Sequence, residues 1–413
     1  MDFYRRVQQR AGKQLKLTAY FIAFPNWVIV QNISFFILIL FYHTSSKHYV
    51  RGFTIRSIMS FVALLVFVGA TCSAIGAGIK YGSDYFYYSF KLLPNYLYWA
   101  TTVIFIGNLA LQFLSLQDLY KSFFWGLISL IFTYFLFDPI FELIPFYNGA
   151  SDNSFAFLLI LFSPMATAYV QQTRKNLPLT FIFILFVTII GFLSGSRSGS
   201  LLTLAGSLLV ISIETWGRTV ITLFSILFLV VAAPYLKESQ SIKQAIFGLN
   251  ERTYNIIYET DETLNTDFSY LTRLAMVEKG LELFSQNPIT GVGIGNFGKT
   301  KVDLDFEFEG GELIAHKDEI LETGVSAHNS YISILAEGGL LLFLPFIFLM
   351  LYPTVYFFSN FNSINTYEKA IFISIIFMCI HAWFISAMLN IFGWFVLGIA
   401  NSYIIHKNQL QVK

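Results

Sequence analysis

Apolar runs of about twenty residues recur along this chain, and runs of that length leave it few ways to fold. The segments at 57–77, 98–116, 155–170, 340–358 and 370–389 have the length that, at about 1.5 Å per residue, crosses a hydrocarbon core roughly 30 Å thick. Asp, Glu, Lys and Arg make up only 12% of the 413 residues, against 55% apolar residues, which is about half the charged share of soluble domains. The expectation is an all-α polytopic membrane protein. Its first apolar run follows Arg5, Arg6, Arg10, Lys13 and Lys16 without a small-residue cleavage pattern before the next charged loop, so that run is expected to stay in the membrane.

Topology follows from the basic residues in short loops. Lys and Arg gather at the N-terminus, at Lys47, Arg51 and Arg56, at Arg174 and Lys175, at Arg218, and at Lys407 and Lys413, which places these segments and both termini on the cytoplasmic side. An even number of passes must then precede Lys47. Either residues 17–42 form a hairpin broken at Pro25-Asn26, or they form one kinked span. Further spans are expected near 57–79, 97–116, 122–137, 154–170, 178–193, 200–213, 219–236, 339–358, 370–389 and 391–405, about twelve in all. The chain divides into an N-terminal transmembrane bundle (1–236), one long polar segment (237–327) and C-terminal transmembrane helices (328–413).

The polar segment falls on the extracytoplasmic side by parity, and it is where function is sought. It holds 16 Asp and Glu against 8 Lys and Arg, a net −8, while the rest of the chain carries +9. Topology alone produces much of that asymmetry. Cys72 and Cys379 lie in separate apolar runs and give no disulfide framework, no CxxC and no zinc site.

Three motifs stand out. In SAHNSYISILAEGG, at 326–339, His328 and Asn329 occur where polar sequence gives way to a membrane-grade apolar run. In YLTRLAMVEKGLELFSQNPITGVGIGNF, Leu271, Leu274, Val277, Leu281 and Phe284 recur at three- and four-residue spacing, so an amphipathic helix is expected, with an apolar face for the membrane or the bundle. Arg273 sits in its first turn. The glycines after it resemble a dinucleotide or phosphate loop only superficially, because no strand precedes them and no GK[ST] follows. Gly291, Gly293 and Gly295 are expected to form a tight turn that brings backbone close to something. In GFLSGSRSGSLLTL, Arg197 interrupts an apolar region at the extracytoplasmic mouth of two helices, where the positive-inside bias disfavours it. It either snorkels to lipid headgroups or holds a phosphate with donors from Ser194, Ser196 and Ser198.

SGSRSGSLL, then Arg273 leading to NPITGVGIGNF, then AHNSYISILAEGGLL, together resemble the signature of the O-antigen ligase and Wzy-type polymerase superfamily, over about 194–342. The resemblance implies a GT-C-like fold with a large extracytoplasmic loop before the last three helices. It implies glycan transfer outside the cytoplasm from an undecaprenyl-diphosphate carrier in a bacterial inner membrane. The residues present suit that chemistry. An acceptor hydroxyl needs a base, and an imidazole with a pKa near 6.5 fits; His328 is the candidate. The leaving diphosphate needs neutralising charge, which Arg197 and Arg273 are placed to supply. Direct attack inverts the anomeric centre and requires no nucleotide cofactor or obligatory metal.

Other duties are open for several of these residues. Asn329 caps a helix or fixes the imidazole. Tyr331 lines an acceptor site or anchors the interface, and Glu337 orients His328 or an arginine, or is solvated at the interface. His316 and His381 are read as structural. The acidic stretch VDLDFEFEGGE, 302–312, puts Asp303, Asp305, Glu307 and Glu309 on one face of an extended segment, a strand, a lid or a Ca²⁺ site. The acidic loop favours a polymerase, whose acceptor is another carrier-linked glycan, over a ligase, whose phosphate-rich lipid A-core acceptor prefers a basic surface. A transfer of oligosaccharide to protein and a polysaccharide flippase are the remaining alternatives. The implied partners are the donor, either acceptor, membrane lipids and a chain-length regulator, with no nucleic acid.

Overall fold

The computed structural model describes residues 55–113, 115–132, 134–135, 152–194, 196–213, 240, 244, 268–300, 327–385 and 391–411. Among the described residues the chain forms ten helices and no strand: α1 (Ile58–Tyr81), α2 (Ser83–Phe113), α3 (Leu116–Phe132), α4 (Asp152–Arg174), α5 (Leu177–Leu193), α6 (Arg197–Ser212), α7 (Phe268–Gln286), α8 (Ser330–Ser359), α9 (Thr366–His381) and α10 (Ile391–Gln411). The helices α1 and α8, with residues Ser154–Arg174 of α4, are long and apolar enough to cross a membrane. The expected hairpin or kinked span at 17–42, the span at 219–236, His316 and the acidic stretch 302–312 lie outside the described residues.

Apolarity on all sides makes α4 the centre of the bundle. Phe155, Phe157, Leu158, Leu159, Leu161, Phe162 and Met165 are all buried, against α3, α5, α6 and α9. The helix α5 does the opposite: Phe181, Ile182, Leu185, Phe186 and Ile189 are exposed, an apolar band that only a lipid environment accommodates at low cost. Close approach within the bundle depends on small residues, as in Gly206 against Phe377 and Gly398 against Ile106. Asn401 of α10 adds polar glue, donating to Ser60 Oγ of α1 (3.0 Å) and the Val103 carbonyl of α2 (3.2 Å).

The two ends of the bundle differ. One end carries Arg56, Lys121, Arg174, Lys175, Lys369 and Lys407. There Glu368 completes a capping box with Asn365, accepts from Tyr403 OH (2.8 Å) and pairs with Lys407 (3.5 Å), which ties α9 to α10. The opposite end collects all three sequence motifs: the α5–α6 turn, the helix α7 with the glycine turn after it, and the start of α8. A second apolar cluster of Met276, Leu283, Val292, Phe297, Ala327, Ile332 and Ala336 joins the last two into one unit.

The amphipathic helix expected at 271–284 is present as α7, but its buried face is rotated from the one the periodicity marks. Leu281 is 47% exposed, whereas Ala275, Met276, Lys279 and Leu283 are buried. The reason is contact geometry. Gly280 lets Ile332 of α8 approach so closely that a Cβ there would lie 2.2 Å from its Cγ2, and the residues flanking that contact go inside with it.

Candidate functional site

The start of α8 is fixed by its own polar residues. Asn329 caps the helix, its Oδ1 accepting from the Tyr331 (3.0 Å) and Ile332 (3.2 Å) amides. Ser330 bolts the turn to the end of α9, its amide donating to the Ala382 carbonyl (2.9 Å) and its hydroxyl to the Ile385 carbonyl (2.6 Å). Tyr331 turns into the bundle, donating from its hydroxyl to the Cys379 carbonyl (2.7 Å) with its ring 5.8 Å from Trp383. Between these anchors His328 takes φ 48°, as Lys175 does in the α4–α5 turn, a left-handed conformation uncommon for residues with a Cβ but one in which histidine is enriched. The imidazole is half-buried. Burial holds its pKa below the usual histidine range, and the Arg273 guanidinium of α7 pushes it the same way. Arg273 is itself exposed. Both influences favour the neutral form of the His328 imidazole.

Ten residues into α8 the helix breaks. Gly339 has φ 56° and ψ −164°, values open in practice to glycine, and a break in a membrane helix frees backbone groups that must find partners inside the protein. The glycine turn supplies them. Val292 and Gly293 amides donate to the Ala336 (3.0 Å) and Glu337 (2.9 Å) carbonyls, while the Leu340 and Leu341 amides donate to the Pro288 (2.9 Å) and Ile289 (3.1 Å) carbonyls. Ser73 of α1 adds a 2.7 Å bond to the same Glu337 carbonyl. What the turn approaches is therefore the backbone of the helix break: a Cβ at Gly291 (φ 67°) would lie 2.3 Å from the Glu337 carbonyl. The Glu337 side chain faces the same turn, its carboxylate accepting from the Phe297 amide (3.3 Å). Asn296, wholly buried, clamps the turn to α2 by donating to Ser89 Oγ (2.9 Å) and the Tyr85 carbonyl (3.2 Å).

The third motif forms the α5–α6 turn. Ser194 ends α5, its hydroxyl donating to the Gly191 carbonyl (2.8 Å). Ser196 caps α6 by accepting from the Gly199 amide (3.4 Å). Arg197 is the first residue of α6, and Ser198, half-buried, is the second. A cation in the first turn opposes the helix dipole, whereas an anion held there is stabilised both by the dipole and by free amides.

Of the residues singled out in the sequence, the structure brings His328, Asn329 and Arg273 to one place. It turns Tyr331 and Glu337 to other partners and leaves Ser196, Arg197 and Ser198 on the separate α5–α6 turn. Sequence reasoning missed Lys279, which is buried with Nζ 5.3 Å from the Phe297 ring centroid and whose pKa burial lowers to about 8. The signal was there, since Lys279 lies on one helical row with Met276 and Leu283. It also missed Asn287, which donates to Tyr81 OH (2.6 Å) and accepts from Lys80. Among the described residues no group of three or more His, Cys, Asp or Glu stands together to hold a metal ion.

Fold and site define a polytopic helical membrane protein whose polar motifs lie at one end of the bundle, two of them joined at the start of a broken helix. Residues 179–347 match the family model described as O-antigen ligase. That match supports the O-antigen ligase and Wzy-type superfamily for this stretch, and with it a role of ligase or polymerase type in surface-polysaccharide assembly. No curated protein matches the chain.

Proposed function

We propose that the protein is an integral-membrane glycosyltransferase that polymerises undecaprenyl-diphosphate-linked oligosaccharide repeats at the extracytoplasmic face of the bacterial inner membrane. The observation that carries this reading is the turn at 327–331, in which three polar residues, Asn329, Ser330 and Tyr331, hold one imidazole at positive φ next to Arg273, in surroundings that favour its neutral form. The location is supported by Arg56, Arg174, Lys175 and Lys407 lying at the other end; Lys80, at the motif end, is occupied by the Gln286 carbonyl (3.1 Å) and Asn287.

In this mechanism His328 takes the proton from the acceptor hydroxyl as that oxygen attacks the anomeric carbon of the donor. The bond from that carbon to the diphosphate breaks, and its electron pair leaves with the phosphate oxygen. Arg273 and Arg197 offset the developing charge, with the start of α6 contributing amides and dipole. Attack opposite the leaving group inverts the configuration. Asn329 and Ser330 keep the imidazole in place, while Tyr331 and Glu337 stabilise the helix around it. The fold is GT-C-like in this reading, and the chemistry uses neither a nucleotide nor a metal.

A ligase reading, with lipid A-core as acceptor, is favoured by one observation, the description of the matching family model. Polymerase is preferred because the segment 237–327 carries −8, which repels a phosphate-rich acceptor. Complementation of polymerase-null and ligase-null strains, read as a lipopolysaccharide ladder, separates the two. The polymerase reading expects the long ladder restored in the first strain only, and loss of that activity in His328→Ala. Restoration in the ligase-null strain alone overturns polymerase for ligase, and an active His328→Ala protein overturns the general base.

A further inference from the structure

His381, the last residue of α9, is fully buried, and neither ring nitrogen has a hydrogen-bond partner among the described residues. Buried polar atoms are nearly always paired, and a neutral imidazole presents one donor and one acceptor. Its position is as specific as its lack of partners. The ring stacks on Phe157 of α4, with centroids 6.4 Å apart. The preceding residue of α4, Ala156, touches the start of α6 so closely that a Cβ on Gly199 would lie 2.4 Å from its Cβ. On the other side the carbonyl of Ala382, next to His381, receives the Ser330 amide, and Cys379 and Trp383 hold Tyr331. His381 therefore lies in the wall between the start of α6, which begins with Arg197, and the start of α8, which follows His328.

We infer that His381 is a substrate-binding residue, whose ring donates to a phosphate oxygen and accepts from a hydroxyl of the first sugar where the glycan joins its diphosphate carrier. That junction offers an acceptor and a donor side by side, the pair an imidazole lacks here, and it must pass between the two helix starts if the diphosphate is to reach Arg197 while the anomeric carbon reaches the acceptor. This inference rests on the carrier-linked donor proposed above. It adds a third side chain to the site, buried where that of Arg273 is exposed.

The test uses the full chain in nanodiscs with ring-¹⁵N histidine, and undecaprenyl diphosphate as the probe, with its binding followed separately by filtration of the radiolabelled lipid. The His381 ring signals, identified by their loss in His381→Asn, are expected to shift on saturation with the probe and to stay in place with phosphatidylglycerol alone. His381→Phe, which keeps the ring and removes both nitrogens, is expected to raise KM for a carrier-linked donor about tenfold to a hundredfold, the size of two lost hydrogen bonds, with kcat little changed, and His381→Asn recovers part of the loss. Probe bound with the ring signals unmoved, or an unchanged KM in a folded His381→Phe protein, overturns the inference while leaving the glycosyltransferase reading intact. A shift with phosphatidylglycerol alone also overturns it, assigning the ring to bulk lipid. Failure of the probe to bind at all removes the diphosphate donor, and this inference with it.

Discussion

Substituting Gly291 with alanine tests whether the glycine turn truly supports the broken helix, and Gly82→Ala serves as its control. Both glycines have positive φ, 67° and 97°, so each substitution incurs the strain of a Cβ in that region, about 1–3 kcal/mol. They differ in surroundings. A Cβ at Gly82 meets nothing within 4 Å, whereas at Gly291 it lies 2.3 Å from the carbonyl carbon and oxygen of Glu337 and 2.6 Å from the oxygen of Ala336. Relief requires the turn to retreat from α8 by close to an ångström, enough to break the Val292–Ala336 and Gly293–Glu337 hydrogen bonds, now 3.0 and 2.9 Å. At about 1–3 kcal/mol for each buried group left unsatisfied, Gly291→Ala is expected to cost about 2–6 kcal/mol more than Gly82→Ala. Because large membrane proteins unfold irreversibly, the assay is the half-life of the monodisperse protein in detergent at a series of temperatures, with turnover measured on the survivors. Equal half-lives for the two variants would show that the turn is not wedged against the break, and the account of α8 given above would fall.

Three further outcomes are expected. The acid limb of kcat/KM reports a base in the free enzyme, and since burial and Arg273 both depress the His328 pKa, that limb should lie below the usual histidine value. Arg273→Gln removes one of the two depressions, so the limb should move to higher pH; movement to lower pH, or none, contradicts the pairing. The same sign governs folding: the native state binds this proton less readily than the unfolded chain, so the contribution is present above the unfolded pKa and is lost as pH falls toward the folded one. Asn329→Ala should lower stability by about 0.5–2 kcal/mol through loss of the cap, read as a shorter thermal half-life, and an unchanged half-life would assign Asn329 a purely chemical duty. Glu337→Gln, which keeps an acceptor for the Phe297 amide, should retain turnover within a few fold, whereas a loss comparable to that of His328→Ala would place Glu337 in the chemistry.

How much of this was legible beforehand varies with the kind of signal. Membrane spans follow from composition, and the expected starts at 57, 154 and 178 fall close to those of α1, α4 and α5. The expected start at 339 marks something subtler: hydropathy rises there, but the helix has already begun at Ser330, and residue 339 is where it breaks. A helix break held open by another segment is a tertiary event, and the only local trace was the Gly338-Gly339 pair. Gly291, Gly293 and Gly295 announced a close approach without naming its partner, since that partner is backbone and leaves no compositional mark. The face of α7 was misjudged for a related reason. Period alone weighs leucines, whereas Gly280 chose the contact by being small.

The placement of the polar residues narrows which of them remain for chemistry. Asn329, Ser330, Tyr331 and the carboxylate of Glu337 each have a defined hydrogen-bonding duty in holding α8, and Ser194 and Ser196 close helix ends. These duties fit residues that must stay where they are during turnover. His328 is different: its neighbours are committed to fixing its turn, and burial and Arg273 both favour its neutral form. Lys175 in the α4–α5 turn has the same φ of 48°, so what sets His328 apart is the set of bonded neighbours that fix its turn and the Arg273 charge that acts on its ring. A structural role could be filled by Asn or Gly, both of which adopt positive φ readily. His328→Asn and His328→Gly are therefore expected to preserve or lengthen the thermal half-life while abolishing transfer, and a variant of either kind that is both less stable and still active would show that the imidazole is there for the fold.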